Sequence, residues 1–202
     1  MKKAFTLSET IITIGIIGIV AAITLPSLIA HIQDIQYRNM WKRQFSIFQD
    51  ATKNILNDYE GSFSNAGLSE QDDTLMLLYT KYIKTAQICN SMHDNNGRPF
   101  RDPICWSEEL KYLNKKAQIN APSTALFLNG TGSAYYTYAN TCKDSTQRCG
   151  YILVDINGKS KPNTIGRDIY RIEVYDDRIE ANSNNDCEKT SNGFGCSKKY
   201  LK

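Results

Sequence analysis

From Ile11 to Ala30 the chain carries no charged side chain, and this run constrains what it can fold into more than any other feature. At about 1.5 Å per helical residue, such a run covers roughly 30 Å, the thickness of a bilayer's hydrocarbon core. Lys2 and Lys3 precede it. By the positive-inside rule they hold the start in the cytoplasm and send the remainder across, so the expected arrangement is a single membrane pass with an exported head.

Beyond this run the chain is polar, rich in Asn and Tyr, and broken by turn formers. A length of 202 residues with 41% hydrophobic content accommodates one head domain after the helix, not two independent enzyme domains. A net charge of +3 is too mild to demand nucleic acid. The basic tail at Lys198, Lys199 and Lys202 reads as solvated surface.

Six cysteines follow the apolar run and none lies in it: Cys89, Cys105, Cys142, Cys149, Cys187 and Cys196. An even number in an exported domain predicts disulfides, which persist in oxidising compartments and stabilise small heads. Sequential pairing is the simplest of the fifteen connectivities, each bridge contributing about 2–4 kcal/mol. Zinc is the competing reading. It lacks a Cys-x-x-Cys pair, and His31 and His93 are not spaced with the cysteines as structural zinc sites require.

The first residues read Met1-Lys2-Lys3-Ala4-Phe5-Thr6-Leu7-Ser8-Glu9-Thr10. A carboxylate at the lip of an apolar segment is costly without a partner, which makes Glu9 a functional residue by default. A secretory signal cut after Ala22, or an uncleaved anchor, would explain the apolar run but not Glu9 directly behind Phe-Thr-Leu.

A short basic leader, then Phe-Thr-Leu-x-Glu running into an apolar helix, resembles the type IV pilins and type II secretion pseudopilins. The resemblance implies that a prepilin peptidase cuts between Ala4 and Phe5, that the new Phe5 amine is methylated, and that the apolar helix stays on the protein. It further implies that Glu9 pairs with the Phe5 ammonium of a neighbouring subunit and sets axial register. Pro26 would mark where the helix can melt during assembly. Ala4 stands where the family usually has glycine, and Ser8 where a bulky apolar residue is usual.

After Ala30 the apolar positions Ile32, Ile35, Trp41, Phe45, Phe48, Thr52, Ile55 and Tyr59 recur at helical steps, with charges on other faces. The expected helix is continuous to Gly61 and Ser62, about 55 residues and roughly 80 Å long. A second helix is expected over 74–88, with Leu75, Leu78, Tyr79, Tyr82 and Ile83 on one side, and a short one over 106–115. Strands are expected at 124–128, 134–139, 150–156, 169–175 and 178–181, where β-branched and aromatic residues alternate with turn formers. Consecutive hairpins make the sheet antiparallel.

The expected fold class is therefore α+β and type IV pilin-like. A leader spans 1–4. The long N-terminal helix spans 5–60, with its membrane segment at about 9–30, and packs on an antiparallel sheet in a head spanning 61–202. The stretch Val154-Asp155-Ile156-Asn157-Gly158 through Pro162-Asn163-Thr164-Ile165-Gly166-Arg167-Asp168-Ile169-Tyr170 resembles a loop of many proteins with the same N-terminal motif. Its oxygens on Asp155, Asn157, Asn163 and Asp168 suit either capping of backbone amides or calcium. The EF-hand pattern is not met, because Gly158 follows Asp155 by three residues rather than five.

No Gly-x-Ser-x-Gly, His-Glu-x-x-His or phosphate loop occurs, and His93 beside Asp94 has no third partner in sequence, so no enzyme and no cofactor are expected. The expected function is a structural pilin or pseudopilin subunit, a homo- or hetero-polymer with other pilin-like chains, served by the peptidase and assembly machinery and seated in the inner membrane before joining a periplasmic or extracellular filament. The alternative is a membrane-anchored or secreted disulfide-rich binding or adhesion protein, with a tethered hydrolase weaker still. Binding to DNA or a surface through Tyr135, Tyr136, Tyr138 and the lysine tail is compatible with either, provided the rings are exposed.

Overall fold

The computed structural model describes residues 6–68, 73–89, 92–93, 99–100, 109–115, 118–120, 126–129, 132–142 and 144–202. It divides into two units, Met1–Gln36 and Tyr37–Lys202. Helix α1 runs from Leu7 to Asp58, 52 residues with Pro26 inside it. The chain therefore has the expected α+β layout, a long N-terminal helix followed by an antiparallel sheet.

In the first unit the large apolar side chains, Leu7, Ile11, Ile12, Ile14, Ile16, Ile17 and onward to Ile35, are all exposed. By length and composition α1 can cross a membrane. Pro26 cannot donate to the carbonyl four residues before it. Around it, hydroxyls bond to the backbone: Thr24 Oγ1 donates to the Val20 carbonyl at 2.9 Å and Ser27 Oγ to that of Thr24 at 2.9 Å. Neither bond reaches the Ala22 carbonyl, the acceptor that Pro26 leaves without its helical donor.

The second unit holds α2 (Asp73–Thr80), β1 (Thr85–Cys89), β2 (Met92–His93), β3 (Pro99–Phe100), β4 (Glu109–Lys111), β5 (Gln118–Asn120), β6 (Leu126–Asn129), β7 (Ala134–Ala139), β8 (Arg148–Asp155), β9 (Ile169–Tyr175), β10 (Ile179–Ala181) and α3 (Cys196–Lys199). Six strands form one antiparallel sheet in the order β1-β6-β7-β8-β9-β10. β2 with β3, and β4 with β5, make two-stranded ribbons.

Two expectations are corrected. The helix expected over 74–88 ends at Thr80, and the chain instead enters β1, which pairs with β6. Leu75, Leu78, Tyr79 and Ile83 are buried as the periodicity required, but Tyr82 and Ile83 lie in the turn between α2 and β1. A short apolar run fits either period, and pairing with an open sheet edge decided it. Likewise, the helix expected over 106–115 is replaced at Glu109–Lys111 by β4.

The C-terminal part of α1 covers one sheet face. Trp41, Phe48, Ala51, Thr52 and Ile55 are buried there, whereas Ile32 and Ile35, expected in the same stripe, are each 45% exposed. Phe48 stands edge-on to Tyr135 and Tyr79, and Thr52 shares a 2.8 Å hydrogen bond with the Tyr79 hydroxyl. Gln44 was not expected in the core but is buried, where it donates to Ser133 Oγ at 3.0 Å and accepts from the Tyr135 hydroxyl. On the opposite sheet face, Leu110, Tyr136, Leu153, Ile165 and Ile169 form a second buried cluster. Both faces are covered, so Tyr135 and Tyr136 are buried and Tyr138, half-buried, stacks on Tyr151. The exposed tyrosine platform that base stacking requires is absent from these three residues.

Candidate functional site

Glu9 lies in the first turn of α1, and its surroundings follow from Thr6-Leu7-Ser8-Glu9. Thr6 Oγ1 accepts the Glu9 amide at 3.3 Å, while Glu9 Oε2 accepts the Thr6 amide at 2.8 Å and the Thr6 hydroxyl at 2.9 Å. This is a reciprocal capping box, in which side chain and backbone satisfy each other's orphan groups at a helix start. The signature Thr-x-x-Glu before an apolar run is present in the sequence. Ala4 and Phe5 lie outside the described residues, and so does the expected cut between them.

The cysteines are partly placed. Cys142 bonds to Cys149 and Cys187 to Cys196, the sequential pairing in both cases. The side chain of Cys89 and all of Cys105 lie outside the described residues, as does that expected pair. Sulfurs of Cys142 and Cys149 come within 4.8 Å of an Asp176 carboxylate oxygen, but as disulfide partners they offer no thiolate to a metal.

The loop between β8 and β9 gathers its four expected residues. Asp168 is fully buried, and its two oxygens accept the amides of Asn163 at 2.8 Å and Thr164 at 2.6 Å. Asn163 takes a left-handed backbone, φ +50°, which this clamp holds in place. Asn157 Nδ2 donates to the carbonyls of Ser160 and Lys161 at 3.0 and 3.3 Å. Lys111 of β4 donates to the Asn163 carbonyl and accepts the Ile165 amide, each at 2.9 Å, tying the loop to the second cluster.

Asp155 is also fully buried and accepts the Asn157 amide at 3.3 Å through Oδ1. Its Oδ2 and the Oδ1 of Asn157 have no hydrogen-bond partner. Burial pushes the Asp168 carboxyl up to about 6 against the pull of its backbone donors. Burial, reinforced by the nearby Asp168, pushes Asp155 well above the ordinary carboxylate range. Backbone capping is therefore what Asp168 does. Asp155 Oδ2 and Asn157 Oδ1, both on expected calcium ligands, are buried side-chain oxygens without a hydrogen bond.

The basic tail is solvated as expected, with Lys198, Lys199 and Lys202 exposed. Lys198, Lys199 and Lys202 line a cavity of about 420 Å³ with Asn184, Asn185 and Glu188. The tail is anchored to α1: Trp41 Nε1 donates to the Ser197 carbonyl at 2.8 Å, Lys42 Nζ to that of Lys202 at 3.1 Å, and the Arg38 guanidinium lies 4.3 Å from the Tyr200 ring centroid.

No family model, curated protein or solved structure matches this chain.

Proposed function

We propose that this chain is a structural subunit of a type IV pilus or type II secretion-like filament, matured by a prepilin peptidase between Ala4 and Phe5 and assembled through α1. The observation that carries the reading is the Glu9 carboxylate at the start of a helix whose apolar side chains from Leu7 to Ile35 face outward. An outward apolar surface of that length needs lipid or copies of itself to cover it. A signal sequence has no use for an acid at its rim.

The capping box lets the chain carry this acid before assembly. The Thr6 amide and hydroxyl satisfy Glu9 Oε2 within the chain, so the carboxylate is hydrogen-bonded while the helix waits in the membrane. When a neighbour's Phe5 ammonium arrives, a full charge replaces or joins those donors, and an ion pair at the edge of the hydrocarbon fixes one axial register over others. The disulfide-bonded second unit is the exported head, and the membrane segment serves first as anchor and then as filament core.

Mass spectrometry of the mature N-terminus from the native host tests this. A chain beginning at a methylated Phe5 is the expected result. A chain beginning at Ile23 would mean secretion with loss of the segment, and the proposal would fall.

A further inference from the structure

The end of α1 breaks two local rules at one residue. Glu60 takes a left-handed backbone, φ +54°, followed by Gly61 at φ +83°, and the Gly61 amide donates to the Leu56 carbonyl at 2.7 Å. This is the Schellman closure of a helix, in which the left-handed position ordinarily falls to glycine or asparagine. A glutamate there meets steric resistance from its Cβ. Its charge also lies at the negative end of the helix dipole, where the last turn has no basic residue; the neighbouring Asp58 carboxylate accepts the Tyr82 hydroxyl, and Lys81 Nζ donates to the Tyr59 hydroxyl at 2.8 Å. Among the described residues no cation lies within 4 Å of the Glu60 carboxylate, and its side chain is exposed. Two local preferences are thus set against this residue, and its exposed carboxylate is open to a partner outside its own chain.

The same unit carries the complement. Lys198, Lys199 and Lys202 surround the 420 Å³ cavity, and among the described residues none of them has a carboxylate within 4 Å. Glu188 is the one acidic side chain in the lining, so the cavity is net positive and wide enough for a carboxylate side chain with its first waters. The two features are far apart. The lysine-bearing segment is fixed to α1 at Trp41 and Lys42, and the acidic turn follows Asp58, about 25 Å further along the helix. Glu60 cannot reach the lysines of its own head.

We infer that the lysine-lined cavity of one head receives Glu60, in the turn that ends α1, of a second copy. A contact that joins one end of a unit to the opposite end of the next is heterologous, and repetition of it without closure builds an open helical polymer. Opposed charges at such a contact mainly set register and exclude wrong approaches. This rests on the filament reading and adds to it the head surface through which successive copies meet.

Charge reversal in the full-length chain, produced in its native host with its N-terminus intact, tests the contact. Glu60→Lys alone, and Lys198→Glu with Lys199→Glu and Lys202→Glu, should each lower filament yield about tenfold, since like charges then face each other. Co-production of the two variants should restore the yield, because one copy's lysine meets the other's glutamates. A milder set, Lys198→Gln with Lys199→Gln and Lys202→Gln, guards against misfolding, with the Cys187–Cys196 disulfide and the melting temperature as folding readouts. Differently tagged copies carrying Glu60→Cys and Lys199→Cys should cross-link to each other when mixed.

Folded variants that assemble like the unsubstituted chain, or reversals that do not rescue one another and cysteines that do not cross-link, would overturn the inference. Filaments that form but ignore these charges remove this contact and leave the filament reading standing. An unsubstituted, matured chain that never polymerises removes the filament reading itself.

Discussion

Trp41 and Ser197 lie 156 positions apart in the chain, and the indole Nε1 of the first donates to the carbonyl of the second at 2.8 Å. The same indole stacks on Tyr170 of β9 with ring centroids 4.7 Å apart and is fully buried. One side chain thus ties α1, the sheet and the C-terminal segment together.

Trp41→Ala should destabilise the second unit by about 3–5 kcal/mol, the usual cost of emptying a large aromatic site. Trp41→Phe keeps most of the volume and loses the donor, so a smaller cost of about 1–3 kcal/mol is expected from the stranded carbonyl. Urea unfolding of the full chain in detergent, followed by tryptophan-independent circular dichroism, checks the order. Equal midpoints for the two variants would show that the hydrogen bond matters as much as the packing.

Replacing Cys187 and Cys196 with alanine opens a loop of sequence separation 9. Restricting a loop of that size in the unfolded chain is worth about 2–3 kcal/mol, which the double variant should lose. Denaturant midpoints under oxidising conditions check this, and an unchanged midpoint would mean the bridge acts on neither state.

Acid should stabilise the head. Asp168 titrates near 6 when folded, raised by burial, and Asp155 is raised further by burial and by Asp168. Both are therefore protonated in the folded state over a range where the unfolded chain, with ordinary carboxyls, has released its protons. Stability contributed by Asp168 protonation is then present at low pH and falls as pH rises through about 6, by about 3 kcal/mol at most. Asp155→Asn removes one buried acid and its repulsion of the other, so the slope should flatten. Denaturant midpoints at pH 5 and pH 7.5 measure it, and an unsubstituted head that is more stable at pH 7.5 contradicts it.

Glutamine at position 9 separates capping from charge. Glu9→Gln can still complete the capping box with Thr6, because an amide oxygen accepts the same backbone donor. It cannot pair electrostatically with a neighbour's ammonium. Glu9→Gln should therefore insert in the membrane and fold like the unsubstituted chain yet fail to polymerise, whereas Glu9→Ala loses both properties. Filament counts by electron microscopy beside membrane levels of the subunit distinguish these, and normal filaments from Glu9→Gln would remove the pairing role.

Residues whose environment is set within a few neighbours were readable. Strands β7 and β9 fall on the expected bounds, since alternating β-branched and aromatic residues between turn formers leave little choice of period. The two short disulfide loops pair with their nearest cysteine in sequence. The Thr6–Glu9 box was equally local and could have been read from its spacing. Glu60 was not readable as special, because nothing in Tyr59-Glu60-Gly61 says which residue takes the left-handed position.

The sequence by itself determined that an uncharged apolar helix opens the chain, that a helical stripe continues from it, and that strand-forming segments and paired cysteines follow. Each of these depends on composition and period along the chain, which covalent order fixes before any folding. Only the tertiary structure decided that 85–89 pairs as a strand, that Gln44 enters the core, that both sheet faces are covered, and that three lysines close around a cavity far from the acidic turn. Those outcomes depend on which surfaces meet between segments far apart in the chain, as β1 meets β6 and Gln44 meets Ser133, and the free energy of such meetings is not written in the local pattern of either partner.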